Sequence, residues 1–498
     1  MYIICILFRN LLTPTGRCDV GELSKINLLN EDILLEIFYL YVIEDSGSSE
    51  QRWQTIEDWV TLAHVCRRWR KVIFQSPRRL NLRILCTPYT PARDILDNLP
   101  ALPLIIRDVS GLFHHKQEVD NIIAALECND RVCQIDLIFH SSSKLECSTV
   151  MQKPFPELTD LWLGGFGQKS ILPDSFLGGS APRLRSLITD RVPFPELPKL
   201  LLSATHLVKL DLSNIPSSGY IQPEVMATTL SVLNSLEALR LEFQYPRPRP
   251  AIESRRSIPL TRSILPSLTA IVFKGVSEYL EDVLLQIDAP RLDKLDITFF
   301  NQIIFDTPQL FQFISRRPTL RAQEKGYITF NSDAISVGFP SQTPDGGVLR
   351  VQILCTASEW QLLSLEQVCT SSLPPVSTLE DIEIFEGQEY PSHWQDDAEN
   401  TLWLELLHPF TAVKNIYLCK KSVPRIVPAL QELVGARTTE VLPTLKNIFL
   451  ETPQPSEPLQ ELEGLEKFVA SRQGTSHPVV VSRWREFYSS HSRFTACY

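Results

Sequence analysis

With 498 residues the chain is long enough for two or more domains, and 44% hydrophobic with 21% charged residues is a globular composition that excludes global disorder. A net charge of -10 argues against a general nucleic-acid binder, which needs surplus Lys and Arg to meet phosphate. Eleven cysteines stand without the paired spacing of a zinc or disulfide framework, so no metal site is expected and a reducing compartment, cytoplasmic or nuclear, is the simplest setting. Met1 to Phe8 are apolar but lack a basic flank and a cleavage site, and no later stretch reaches the roughly 18 apolar residues of a membrane span. Residues 1–23 read as a leader, disordered or loosely docked.

Residues 24–84 carry two helical patterns. The first sets Ile33, Leu34, Ile37, Phe38 and Tyr41 on one stripe, with Asn30 as N-cap and Glu31 and Asp32 at the positive end of the helix dipole. In the second, Trp59, Leu62, Cys66, Trp69 and Ile73 make one face of a single helix, Val65 and Val72 widen it, and Pro77 ends it. Between Trp59 and Arg93 there are eight Arg or Lys and no Asp or Glu, which marks either a solvated basic face or a docking face.

The order of residues here resembles the F-box, the adaptor-binding module of cullin-type ubiquitin ligases. Its pattern is Leu-Pro-x-Glu-Ile-Leu-x-x-Ile-Phe, a spacer, then Leu-x-x-Val-Cys-[Arg/Lys]-x-Trp. Leu29, Ile33, Leu34, Ile37, Phe38, Leu62, Val65, Cys66, Arg67 and Trp69 fall on it in order. The family's proline is Asn30 here, and the spacer Glu44 to Asp58 is long and reads as a solvated loop. The resemblance implies a Skp-type adaptor, and through it a cullin, as partner. It also implies adaptor contacts from Leu29, Ile33, Leu34, Ile37, Phe38, Leu62, Val65 and Trp69, some of which must instead hold the two helices together.

Beyond this segment the sequence predicts a strand from Asn81 to Cys86, a helix from Pro91 to Asn98, a strand at Leu104 to Ile106 and a helix from Lys116 to Cys128. Then apolar-x-x-apolar-x-apolar recurs from Val132, Leu158, Leu184, Leu207, Leu236, Leu268, Leu292, Val348, Leu379, Val413 and Leu445. Spacings run from 23 to 34 residues except for 56 between Leu292 and Val348, a double period whose midpoint, Leu320, fails the pattern, although Tyr327, Ile328 and Phe330 suit a displaced strand. Helical patterns intervene at Tyr279 to Ile287, Pro308 to Ile314, Glu359 to Val368, Thr401 to Leu407 and Ile426 to Val434.

A strand, a turn and a helix at this period predict an α/β solenoid over residues 85–457, with parallel strands on the concave side and helices outside. It is similar to the divergent leucine-rich repeats that follow F-boxes in many fungal proteins. Most copies lack the turn asparagine, Asn214 being one survivor, so the solenoid is expected to be irregular. Gln244 to Ile264 is a Pro- and Arg-rich insertion read as a solvated loop, and Gly338 to Gly347 reads as a turn. Over residues 458–498, Leu459 to Phe468 reads as a capping helix and Gln473 to Tyr498 as a mobile tail.

No catalytic motif or phosphate-binding glycine loop occurs, His64 and Asp396-Asp397 have no catalytic company, and Gly164-Gly-Phe-Gly167 fits a repeat turn. No enzyme activity and no cofactor are therefore expected. The reading is a ligase subunit that joins an adaptor to an unidentified protein target, with no nucleic-acid or membrane partner. Thr159, Trp162, Lys209, Asp211, Glu237 and Arg240, facing the concave side, are the candidates for target contact. The alternative is a repeat scaffold or sensor in which the helical segment only caps the array.

Overall fold

The computed structural model describes residues 29–43, 55–77, 79–98, 101–108, 116–139, 144–165, 171–246, 262–302, 304–321, 323–340, 346–387, 397–433, 437, 439–451, 462–473 and 478–484. The expected leader and most of the spacer and the Pro/Arg insertion lie outside these residues. The chain divides into two compact units, Met1–Val192 and Pro193–Tyr498. Both are mixed α/β, with mostly parallel strands.

The first unit opens with α1 (Glu31–Ile43), α2 (Thr55–Val65) and α3 (Arg67–Gln75). The single second helix expected from the stripe is in fact two. Cys66 takes an extended conformation between them, its sulfur accepting the Trp69 N–H at 3.5 Å as the N-cap of α3. Arg70 donates back across the break to the Ala63 carbonyl at 3.0 Å. Two axes thus replace one, and each turns its own apolar residues inward. Then follow β1 (Ile84–Cys86), α4 (Ala92–Asn98), β2 (Leu104–Asp108), α5 (Lys116–Glu127), β3 (Val132–Phe139), α6 (Lys144–Val150), β4 (Asp160–Gly165) and β5 (Ser186–Asp190). These five strands pair in chain order, all parallel.

The second unit contains α7 (Leu197–Leu201), β6 (Lys209–Ile215), α8 (Pro223–Leu230), β7 (Ala238–Phe243), β8 (Ser263–Ile264), β9 (Ala270–Gly275), α9 (Ser277–Gln286), β10 (Ile287–Asp288) and β11 (Lys294–Phe300). It continues with α10 (Pro308–Ser315), α11 (Pro318–Arg321), β12 (Lys325–Phe330), β13 (Ala334–Phe339), β14 (Val348–Leu354), α12 (Ser358–Ser371) and β15 (Asp381–Glu386). Last come α13 (Asp397–Leu407), β16 (Asn415–Leu418), α14 (Val423–Gln431), β17 (Asn447–Glu451), α15 (Leu462–Gln473) and β18 (Val480–Trp484). Spatially the strands run β6-β7-β9-β11-β14-β13-β12-β15-β16-β17-β18, while β8 and β10 pair separately.

Strand after strand begins two residues past the first apolar position of a repeat, as β4 does after Leu158, β7 after Leu236, β11 after Leu292, β15 after Leu379 and β17 after Leu445. Those first positions are buried, and the next two apolar residues of each copy point the same way from the strand. A short strand with one apolar face cannot bury it alone, so neighbours and helices complete the core.

Around the double period the displaced strand expected over Tyr327, Ile328 and Phe330 is found as β12, while the all-parallel order, the turn at Gly338 to Gly347 and the repeat register at Val348 are not. Leu320 lies in the short helix α11, and the chain crosses to build β12, β13 and β14 as an antiparallel run whose outer members pair parallel with β15 and β11. Residues read as the start of a turn belong to β13, which is buried on both faces. Its Gly338 sits under the Tyr327 ring, where a Cβ would come within 2.3 Å of the ring carbon Cζ. The repeat read at Val348 is also out of register by two residues: Leu295 pairs with Leu349 and Ile297 with Val351, so Gly346 stands where Leu292 does. In the tail, β18 pairs with β17 where mobility was expected.

Charges buried by this packing have specific partners. Arg472, fully buried on α15, donates to the carbonyls of Val441 and Leu442 at 2.9 and 3.0 Å. The Glu281 carboxylate on α9 accepts the N–H groups of Gln309 and Leu310, both at 2.8 Å, and so closes the start of α10. Burial pushes the Glu281 carboxyl from its ordinary 4.5 up to about 7, against the pull of those two N–H groups, and Asp306 adds to the rise. A carboxyl raised by folding contributes stability that is complete below its unfolded pKa and is lost as pH climbs through the folded one. Between pH 4.5 and 7 the chain should therefore lose about 1 to 2 kcal/mol through this group after solvent screening. Glu281→Gln should lack that part of the slope in urea unfolding, and an unchanged pH profile would contradict the assignment.

Candidate functional site

Two surfaces answer to the sequence analysis, the helical handle of the first unit and the strand faces turned away from the helices. In the handle, Leu34, Ile37, Phe38, Leu62 and Trp69 are buried. Phe38 and Trp69 meet with ring centroids 4.9 Å apart, and Trp59 stands edge-on to Phe74 at 5.9 Å. These side chains spend their apolar area on the handle's own core. Ile33 is 50% exposed and Val65 37%.

Leu29 is half-buried, and its carbonyl accepts a hydrogen bond from the Arg68 guanidinium. That bond draws the start of α1 alongside the α2–α3 junction, the elements that carry Ile33 and Val65. The basic run is largely occupied by the fold, since Arg70 bonds Ala63 and Arg79 pairs with Glu36 at 2.9 Å and Asp32 at 3.7 Å. Arg67 and Lys71 are exposed and have no partner among the described residues. The Trp59 indole donates to the Arg83 carbonyl at 3.0 Å and so ties α2 to the approach to β1.

The six candidate target residues divide between the units. The hydroxyl of Thr159, one residue ahead of β4, lies 3.0 Å from the Cys133 carbonyl and 2.7 Å from the Asp160 carboxylate, which share its one proton as acceptors. Trp162 lies half-buried on the solvent face of β4, against Gly164. In the second unit Lys209 is exposed at the start of β6, and Glu237 is exposed one residue ahead of β7. Asp211 and Arg240 are brought together at 3.2 Å, and Arg240 also pairs with Glu242 at 2.8 Å. Their charges are thus neutralised within the sheet.

Residues that the sequence analysis passed over lie further along the same unit. On the solvent face of β12 and β15 to β17, Lys325, Asp381, Asn415 and Asn447 form one transverse row, linked at 3.7, 2.6 and 2.7 Å. Beside it Tyr417 stacks on Phe449 with centroids 4.6 Å apart and planes within 10°. A signal for both rows was present in the repeated Lys414-Asn-Ile-Tyr-Leu418 and Lys446-Asn-Ile-Phe-Leu450, which put Asn and an aromatic at matching outward positions.

No family model and no curated protein matches the chain. Among solved structures it is similar to the leucine-rich repeat-containing protein LegL7 from Legionella pneumophila, at 12% identity over 80% of this chain and 100% of that one, with a TM-score of 0.25. Among the described residues no group of His, Cys, Asp and Glu is arranged to hold a metal, and no helix is long and apolar enough to cross a membrane.

The division of the handle into packed and exposed positions has a measurable consequence. Trp69→Ala should destabilise the first unit by about 3 to 5 kcal/mol, the cost of emptying a packed aromatic site. Ile33→Ser with Val65→Ser should cost less than about 1 kcal/mol, as for ordinary surface changes. Urea unfolding of the full chain separates the two, and equal losses would contradict the division.

Proposed function

We propose that this chain is the target-recognition subunit of a Skp-cullin-F-box type ubiquitin ligase, acting in the cytoplasm or nucleus with no catalytic group of its own. The handle docks a Skp-type adaptor and through it a cullin; the strand faces hold a protein target. Such a subunit works by placement, raising the effective concentration of the target's lysines beside a ubiquitin-charged enzyme.

The observation that carries this reading is the exposure of Ile33 and Val65. Both occupy F-box pattern positions, yet they remain 50% and 37% exposed where Leu34, Phe38, Leu62 and Trp69 are buried. An apolar side chain held in water at such a place is suited to a second polypeptide. Exposed Arg67 and Lys71 beside Val65 would steer an acidic adaptor surface toward it.

A scaffold in which the handle only caps the sheet is the second reading. It is favoured by the Trp59–Arg83 hydrogen bond, which fixes α2 next to β1. The readings part at one experiment, capture of a purified Skp-type adaptor by the full chain. Ile33→Asp with Val65→Asp should weaken capture by at least about tenfold, equivalent to about 1.4 kcal/mol, with an unchanged melting temperature. Undiminished capture by the folded double variant would overturn the assignment, and absence of capture by the native chain would favour the cap.

A further inference from the structure

The solvent face of the second unit changes character along its sheet. Over β6 to β14 cations outnumber carboxylates, with Asp211, Arg240 and Glu242 in one cluster, Asp296 within 3.9 Å of Arg350, and Lys209, Lys274 and Lys294 at further outward positions. Over β15 to β18 it is aromatic and acidic. The Trp484 indole leans from β18 across β17 to stand edge-on to Tyr417 at 5.3 Å and to Phe385 at 6.4 Å, while Tyr417 stacks on Phe449. Tyr417, Phe449 and Trp484 are all half-buried, each with part of its ring open to solvent.

Register sets the charge around these rings. Glu383 pairs with Tyr417 across β15 and β16, and Glu451 pairs with Trp484 across β17 and β18. Asp381 is two residues before Glu383 and so on the same face. Among the described strand residues of this face on β12 and β15 to β18, the one cation is Lys325, already engaged with Asp381, and Glu451 accepts the Lys420 backbone N–H at 3.1 Å. Burial raises the Tyr417 phenol, and Asp381 and Glu383 raise it further, as expected where carboxylates dominate.

Aromatic faces carry negative potential, and neighbouring carboxylates add to it. A hydrocarbon partner would strip water from those carboxylates and offer no donor in return. An anion would be repelled. The group that fits is a guanidinium or ammonium laid on a ring with its donors turned to Glu383, Asp381 or Glu451.

We propose that the solvent face of β15 to β18 is the target-docking surface and that it binds a basic segment of the target, Arg or Lys side chains lying on the rings of Tyr417, Phe449 and Trp484. The word target rests on the ligase reading; the binding of a basic segment does not.

The test uses the full chain and a short fluorescein-labelled peptide of alternating arginine and serine, followed by anisotropy, with a glutamate–serine peptide as counterpart. The arginine peptide should bind saturably and more weakly as salt rises, and the glutamate peptide should not bind. Trp484→Ala and Glu383→Lys should each weaken the arginine peptide by at least about tenfold, equivalent to about 1.4 kcal/mol. Glu242→Gln, outside the face, should leave binding unchanged. Glu383→Lys keeps every ring and serves should Trp484→Ala fail to fold. Failure of the arginine peptide to bind, equal binding of the two peptides, or native affinity in folded Glu383→Lys overturns the proposal. Ile33→Asp with Val65→Asp should keep the peptide while losing the adaptor, and Trp484→Ala should do the reverse. A native chain that binds peptide but no adaptor would sink the ligase reading and leave this surface standing.

Discussion

One amide hydrogen bond, repeated ahead of most of the parallel strands, sets the register on which the structure depends. The residue just before a strand donates its N–H to the carbonyl of the equivalent residue one strand back: Glu380 to Glu324 at 2.8 Å, Lys414 to Glu380 at 2.7 Å and Lys446 to Lys414 at 2.8 Å, while at β18 the first strand residue, Val480, donates to Lys446 at 2.8 Å. Parallel strands with a side-chain period of two have no tolerance for a slip of one residue, which would carry every leucine into water. With the register fixed, inward leucines form rows that helices cover and outward residues form rows facing solvent. A transverse row such as Asp381, Asn415 and Asn447 is the product of that alignment.

The handle obeys a different economy. Its pattern residues do two jobs, and burial separates them. Leu34, Phe38, Leu62 and Trp69 have no surface left to offer, whereas Ile33 and Val65 keep theirs. The break at Cys66 makes the separation possible, because two short helices can bury Trp69 and leave Val65 partly exposed. A single straight helix would have put both on one widened face. The pattern positions thus divide into residues that build a small core and residues that stay partly exposed.

Much of the array was legible because leucine spacing states where strands begin. The helix at Tyr279 to Ile287 is found at Ser277–Gln286, and that at Pro308 to Ile314 at Pro308–Ser315. The antiparallel detour was not legible. Ala334 to Phe339 has no polar alternation because both its faces are covered, and a short buried strand ending in Gly and Phe looks like the turn that follows it. The break at Cys66 was hidden as well, since a stripe at helical spacing is indifferent to one extended residue in its midst. At the candidate surface, Asp211 and Arg240 drew notice as charges on a strand, yet the structure pairs them with each other. Tyr417 and Phe449 escaped notice because a strand aromatic is ordinarily core, and only the register puts them on the wet face.

The proposed docking of an adaptor on the handle is decided by a direct mixing measurement. The purified chain and a purified Skp-type adaptor, combined at micromolar concentration and passed over a sizing column with light-scattering detection, should elute as a one-to-one complex. Two separate peaks, each with the mass of the free protein, would contradict the reading of the handle as a docking element.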